Sequence, residues 1–164
     1  MFDNCTSLSI PPNLPATKIA NTCYSNMFNG CTSLISCPEL PATELSAGCY
    51  LRMFANCTNL STINLVLSAT SSTVGSPYEY MFENCSSLIN SPEICLLSGG
   101  ASTFAGMFKN CISLKTCPNL PSVKLGASYY LSTFANCSSL TSTPVLPADQ
   151  LCANCYSNMF NGCS

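Results

Sequence analysis

The chain lacks histidine and tryptophan and carries very little charge. Only 7% of its 164 residues are charged, and the net charge is −2. Binding of nucleic acid depends on a basic patch that displaces counterions, and the five lysine and arginine residues are scattered. Without histidine, a serine or cysteine nucleophile has no usual general base. We therefore predict a protein that is not an enzyme, takes no cofactor or metal and binds no nucleic acid.

Long hydrophobic runs are also missing. Hydrophobic residues make up 47% of the chain, yet no run approaches the roughly 20 residues that a membrane-spanning helix needs. The first residues show no secretory leader, because Met1 opens a repeat rather than a charged segment. We expect no membrane span in this chain.

Repetition is what the sequence has in abundance. The phrase Phe-x-x-Cys-x-x-Leu returns with a period of about 26 residues, and one step is longer by two. A fixed period of this size indicates one supersecondary unit that stacks on its neighbours. We predict a single domain over residues 1–164, an α/β solenoid of six full repeats and a partial seventh. The repeats start at Met1, Met27, Met53, Met81, Met107, Thr133 and Met159.

Two patterns within each repeat predict its elements. Counted from its first residue, positions 9–14 run extended with proline at position 12 in five of six copies, which favours a short parallel strand. Before each new phrase, apolar residues follow helical spacing, as in Leu45, Cys49, Tyr50, Met53 and Phe54, and predict a helix of about ten residues. Position 4 is always Asn or Gly, which favours a left-handed stop at the helix end.

These motifs resemble the leucine-rich repeats of BspA-like bacterial surface proteins. The resemblance rests on Phe-x-x-Cys-x-x-Leu, the following Leu-Pro and the Tyr-x-x-Met-Phe segment, and it covers the whole chain. It implies a right-handed leucine-rich-repeat array of about 26 residues per coil, with short parallel strands on one face and short helices on the other. It also implies an extracellular or cell-surface location and a role in adhesion and protein binding.

The cysteines admit two interpretations. Fourteen in one short chain is typical of a secreted disulfide scaffold, but seven of them share position 5, which favours a column of buried, reduced thiols. Cys152 and Cys155 form the only Cys-x-x-Cys motif, and a zinc site built on it would need a second pair of ligands. We predict a core ladder of Phe28, Cys31, Leu34, Phe54, Cys57, Leu60, Phe82, Cys85, Leu88, Phe108, Cys111 and Leu114.

Four asparagines at position 4 also fit a glycosylation acceptor, Asn-Cys-Ser/Thr: Asn4, Asn56, Asn84 and Asn136. Because Gly alternates with Asn at this position, a left-handed backbone conformation is the other interpretation, and the sequence leaves both open.

Outward positions of the predicted strands form a neutral, hydroxyl-rich face. We predict that this face binds protein or glycan on a host or neighbouring cell, through Asn13, Glu39, Ile63, Leu65, Ser91, Glu93, Lys115, Asn119, Thr141 and Thr143. The alternative is a structural subunit whose copies join end to end into a surface filament, as expected if the chain is a segment of a longer array without caps. The two-residue insertion lies within residues 61–77, with the Ser/Thr cluster at 68–73.

Overall fold

The computed structural model describes residues 1–164 and contains no α-helix. Its two strands, β1 (Val66–Leu67) and β2 (Glu93–Ile94), pair in parallel, with Val66 opposite Glu93 and Leu67 opposite Ile94. Further parallel bridges join Ser71 to Ser98, Ser98 to Lys124 and Lys124 to Gln150. Short parallel strands are thus present as predicted, although fewer than one per repeat, and the predicted helices are wrong.

A chain of four-residue turns takes the place of each predicted helix. From the end of the second repeat into the third, φ is positive at Gly48, Arg52 and Asn56. The Met53 N–H donates to the Tyr50 carbonyl three positions back, at 3.1 Å, whereas an α-helix would bond four positions back and keep φ negative. The next N–H, that of Phe54, donates instead to Met81 of the following repeat at 2.9 Å. Alternate N–H groups therefore close a turn and join two repeats.

The helical spacing in the sequence was misleading because the left-handed residues of the turns recur at every fourth position. Cys49, Tyr50, Met53 and Phe54 are all buried, so the inward face matches the pattern that favoured a helix. Over about ten residues, a period of four and a period of 3.6 place the same residues inward. The left-handed conformation at position 4 is confirmed, with φ of 58–76° at Asn4, Gly30, Asn56, Asn84, Asn110, Asn136 and Gly162.

Two aromatic columns run through the molecule. In the first, neighbouring rings have centroids 5.4–5.8 Å apart and planes within 9° of parallel; its members are Phe2, Phe28, Phe54, Phe82, Phe108, Phe134 and Phe160. In the second, the centroids are 5.5–5.9 Å apart; its members are Tyr24, Tyr50, Tyr78, Phe104, Tyr130 and Tyr156. Offset stacking at this separation is favourable for aromatic rings. Equivalent residues of successive repeats therefore lie over one another.

The interior between these columns is one continuous hydrophobic cluster of 36 buried residues. All twelve residues of the expected core ladder belong to it with no exposed surface: Phe28, Cys31, Leu34, Phe54, Cys57, Leu60, Phe82, Cys85, Leu88, Phe108, Cys111 and Leu114. No repeat could bury these residues alone, because each side chain is covered by its equivalent in the repeats on either side.

The first extra residue of the third repeat enters before its strand. Leu60 and Leu88 hold the same position in the third and fourth repeats, and both are fully buried. If that alignment continued along the chain, Leu67 would lie opposite Cys95. The strand pair instead places Leu67 opposite Ile94. One residue is therefore absorbed between Leu60 and the strand pair.

The second extra residue enters after the Ser/Thr cluster. The bridge between Ser71 and Ser98 keeps the same register as the strand pair. Continued along the chain, that register would place Tyr78 opposite Ala105, but Tyr78 stacks on Phe104. The second residue is therefore absorbed between Ser71 and Tyr78, so the aromatic columns continue without a break.

Candidate binding surface

The predicted binding face is largely exposed. Seven of its ten residues are exposed: Asn13, Glu39, Glu93, Lys115, Asn119, Thr141 and Thr143. Ser91 is half-buried. The assignment is wrong for Ile63 and Leu65, which are buried in the core at 6% and 4% exposure.

A shift of one residue in the third repeat explains this error. The second repeat buries Pro38 and Leu40 at positions 12 and 14, whereas the third buries Ile63 and Leu65 at positions 11 and 13. Because side chains alternate along a strand, a one-residue shift exchanges the two faces. The strict alternation in Ile-Asn-Leu-Val-Leu at 63–67 was the signal that could have shown it. Asn64 and Val66 are therefore the outward residues.

Exposed aliphatic side chains concentrate on this side of the molecule. Of the eleven large hydrophobic residues that remain exposed, nine lie between positions 9 and 19 of their repeats: Ile10, Ile35, Val66, Ile89, Leu97, Val123, Val145, Leu146 and Leu151. The ten residues predicted to bind include two aliphatic ones, Ile63 and Leu65, but none of these nine. Concentration on one side, rather than scatter, is what distinguishes an interaction surface from ordinary exposed apolar residues.

A groove of about 300 Å³ opens on this face between the second and third repeats. Glu39, Leu40 and Pro41 line one side, and the segment from Asn64 to Ser68 lines the other. It therefore joins two residues of the predicted face, Glu39 and Leu65, to five residues that the prediction did not include.

A small ionic cluster lies among the turns. Glu83 is buried and accepts a hydrogen bond from Arg52 Nη1 at 2.5 Å, and Lys109 Nζ lies 3.7 Å from its other oxygen. The Arg52 guanidinium also covers the Tyr80 ring at 4.5 Å from its centroid. These contacts join four consecutive repeats, the second to the fifth, so we interpret the cluster as structural.

Six of the seven position-5 cysteines, all but the exposed Cys5, act as hydrogen-bond donors. Cys57 Sγ donates to the Phe28 carbonyl one repeat earlier at 3.1 Å, and Cys85 Sγ donates to Phe54 in the same way. Burial raises the pKa of the Cys57 and Cys137 thiols to about 12. A protonated thiol is a donor and a poor nucleophile, so the column can bridge repeats but is not suited to thiolate chemistry.

The remaining cysteines do not form a site. All fourteen are unbonded, and no group of three potential ligands is placed to hold a metal ion. In the Cys-x-x-Cys pair, Cys152 is exposed whereas Cys155 is buried. Cys23 shares position 23 of its repeat with the buried Cys49 and Cys155, but it is exposed.

The asparagines of the candidate glycosylation motifs form an amide ladder. Asn84 Nδ2 donates to Asn56 Oδ1 at 2.7 Å, and Asn136 Nδ2 donates to Asn110 Oδ1 at 2.8 Å. Asn56 Nδ2 donates at 2.8 Å to Oδ1 of Asn29, which lies at position 3 because Gly30 occupies position 4. An N-linked glycan would be attached to this same Nδ2 atom. The hydrogen bonds of the ladder and a glycan on the same asparagine therefore compete for one nitrogen. Asn4 is exposed at one end of the row.

Comparison with family models, curated proteins and solved structures found no match for this chain. No helix of the structure has the length and apolar character to cross a membrane. The binding surface must therefore be interpreted from its own residues.

Proposed function

We propose that this protein is a non-enzymatic binding module at the cell surface or outside the cell, used in adhesion or in binding protein or glycan. We further propose that its repeats form a right-handed solenoid of the leucine-rich-repeat type, like BspA-like surface proteins. The stacked aromatic columns and the parallel bridges support the stacking. The sequence motifs alone support the family, the hand and the location.

The concentration of exposed aliphatic residues on one side carries the functional proposal. Ile35, Val66 and Ile89 come from three successive repeats and are each at least 40% exposed. Carboxylates at Glu39 and Glu93 and the ammonium at Lys115 lie among such residues. Apolar area with charged residues around it is the composition of many protein-binding patches, and a repeat array presents it as an extended surface.

The test is binding of the purified protein to fixed cells and to a glycan array. The triple variant Ile35→Ser, Val66→Ser and Ile89→Ser should lose most of the binding, and alanine at Glu39, Glu93 and Lys115 should weaken it. Ile112→Ser is the matched control, because Ile112 is 50% exposed but lies at position 6 of its repeat. Equal binding by the triple variant and the control would place the contact elsewhere.

The second candidate is a structural subunit that stacks head to tail. It is supported by the aromatic columns, since a second copy placed in register could continue both of them. Such a contact is heterologous and does not close. Light scattering over a dilution series should then show growing assemblies, and Phe160→Asp should abolish them. A monomer at all concentrations would rule this candidate out.

A further inference from the structure

The second and third repeats are separated on the face that bears the groove. No backbone hydrogen bond joins residues 36–47 to residues 62–74. The third and fourth repeats are joined on the same face by backbone hydrogen bonds. The Glu93 N–H donates to the Leu65 carbonyl at 2.9 Å, and the Cys95 N–H donates to the Leu67 carbonyl at 3.3 Å. The groove of about 300 Å³ lies where the equivalent bonds between the second and third repeats are missing.

One side of the groove is therefore a strand edge with free backbone groups. Successive residues of a strand direct their N–H and C=O groups to opposite neighbours. Leu65 and Leu67 direct their carbonyls to the fourth repeat, so Asn64, Val66 and Ser68 direct theirs toward the second repeat.

The facing segment of the second repeat contributes few donors. Pro38 and Pro41 have no N–H, and proline cannot donate to a ladder. An edge of this kind is a template for an added strand.

The walls of the groove specify the chemistry of its occupant. Buried Leu40 and Leu65 supply apolar lining, while Val66 is 45% exposed at the rim. Glu39 is exposed in the groove and has no ion-pair partner, and Glu93 is the exposed neighbour of Val66 across the β1–β2 pair. One carboxylate, Glu39, thus lies in the groove, and the second, Glu93, lies one strand further on, across β1 from the free edge. No cation neutralises either of them.

We propose that this groove binds a short extended peptide segment with basic side chains, which adds a strand along Asn64–Ser68 and places lysine or arginine against Glu39 and Glu93. Main-chain hydrogen bonds supply affinity in this mode of recognition, and side chains supply selectivity. This inference rests on the proposed binding function and names the class of partner. Segments rich in glutamate or aspartate are disfavoured by repulsion from the same carboxylates.

The experiment titrates three synthetic peptides into ¹⁵N-labelled protein and follows the amide spectrum. The peptides are acetyl-Val-Lys-Val-Lys-amide, its glutamate counterpart, and the lysine peptide with an N-methyl group on the backbone nitrogen of all four residues. The lysine peptide should shift the amides of Asn64, Val66 and Ser68 with a Kd below about 1 mM. The glutamate peptide and the N-methyl peptide should produce much smaller shifts, because the first is repelled and the second lacks donors.

Protein variants test the charge separately. Glu39→Gln should weaken binding of the lysine peptide roughly three- to fivefold, as for a partly exposed ion pair. Glu44→Gln is the matched control, an exposed acid of the same repeat that does not line the groove.

Three outcomes would overturn the inference: no shift at residues 64–68, equal shifts with the N-methyl peptide, or equal binding of the glutamate peptide. The peptide comparison uses the unaltered protein, so it stays decisive even if a variant misfolds. Binding to cells or glycans without peptide binding would leave the proposed function standing and reject this occupant of the groove.

Discussion

At the scale of single residues, the fold depends on side chains that fit a backbone with many left-handed positions. Fifteen non-glycine residues have positive φ, and asparagine and serine account for twelve of them. Asparagine adopts this conformation more readily than most residues. Glycine is required where the neighbouring repeat leaves no room for a Cβ, and Gly106 is such a position, since an added Cβ would overlap the Tyr80 ring.

Gly106→Ala should therefore lower the free energy of unfolding by roughly 1–3 kcal/mol, from the overlap and the left-handed backbone together. Replacing Tyr80 with Ala in the same chain should recover part of this loss, because the overlapping ring is removed. Gly75→Ala is the control; its φ is not positive and its added Cβ would lie 3.4 Å from the nearest atom. Urea denaturation checks all three, and equal stability of Gly106→Ala and the parent would contradict the packing described for Gly106.

The buried thiols predict a loss of stability at high pH. The pKa of Cys57 and of Cys137 is raised to about 12 by burial, from an ordinary value near 9. Above pH 9 the unfolded chain therefore binds fewer protons than the folded one, and the free energy of unfolding falls as pH rises. We expect constant stability between pH 6 and 8 and a loss of about 2 kcal/mol per thiol by pH 10.5.

Urea midpoints under reducing conditions measure this dependence. Cys57→Ala should be less stable at pH 7 because it leaves a cavity, but its stability should fall less steeply above pH 9. An exposed thiol removed by Cys5→Ser should leave the pH dependence unchanged. A pH dependence that is identical for the parent and Cys57→Ala would show that this thiol ionises freely in the folded protein.

At the scale of elements, the turn chain and the amide ladder act together. Asn84 has φ of 61°, donates to Asn56 and accepts from Asn110 at 2.7 Å. Asn84→Ala removes both hydrogen bonds, at roughly 0.5–1.5 kcal/mol each. It also puts alanine, which tolerates the left-handed conformation less well than asparagine, at this position, at about 1 kcal/mol more. Asn84→Gly removes only the hydrogen bonds.

Thermal or urea unfolding should therefore rank the parent above Asn84→Gly, and Asn84→Gly above Asn84→Ala. The natural glycines at the same position, Gly30 and Gly162, indicate that Asn84→Gly can fold. If both variants were equally unstable, the backbone conformation would contribute nothing, and the ladder alone would account for the residue.

Prediction from sequence succeeded where one residue type has one physical role. Phe, Cys and Leu at fixed positions could be assigned to the core, and Asn or Gly at position 4 to a left-handed backbone. It failed for the helices, because Cys49, Tyr50, Met53 and Phe54 satisfy both a period of four and one of 3.6. It failed again at Ile63 and Leu65, since alignment by the repeat could not show where the two extra residues enter.

At the scale of the whole molecule, contacts run between neighbouring repeats, so stability approximates a sum of repeat and interface terms. The interfaces are not equal. The second and third repeats are held on the turn side by bonds such as Tyr50 to Pro77, at 3.0 Å, and by the two aromatic columns. On the groove side the same two repeats share no backbone hydrogen bond. This interface is therefore hydrogen-bonded on the turn side and has no backbone hydrogen bonds on the groove side.

Hydrogen exchange should reveal that asymmetry. Amides that join repeats on the turn side, such as those of Phe54 and Phe82, have fully buried side chains and hydrogen-bonded N–H groups, so they should exchange only by larger openings. The amides of Asn64, Val66 and Ser68 face the groove and should exchange quickly in the free protein. Residue-resolved exchange measures both classes in one sample. Slow exchange at all three groove amides without peptide would mean that the strand edge is already paired, and the groove could then not accept an added strand.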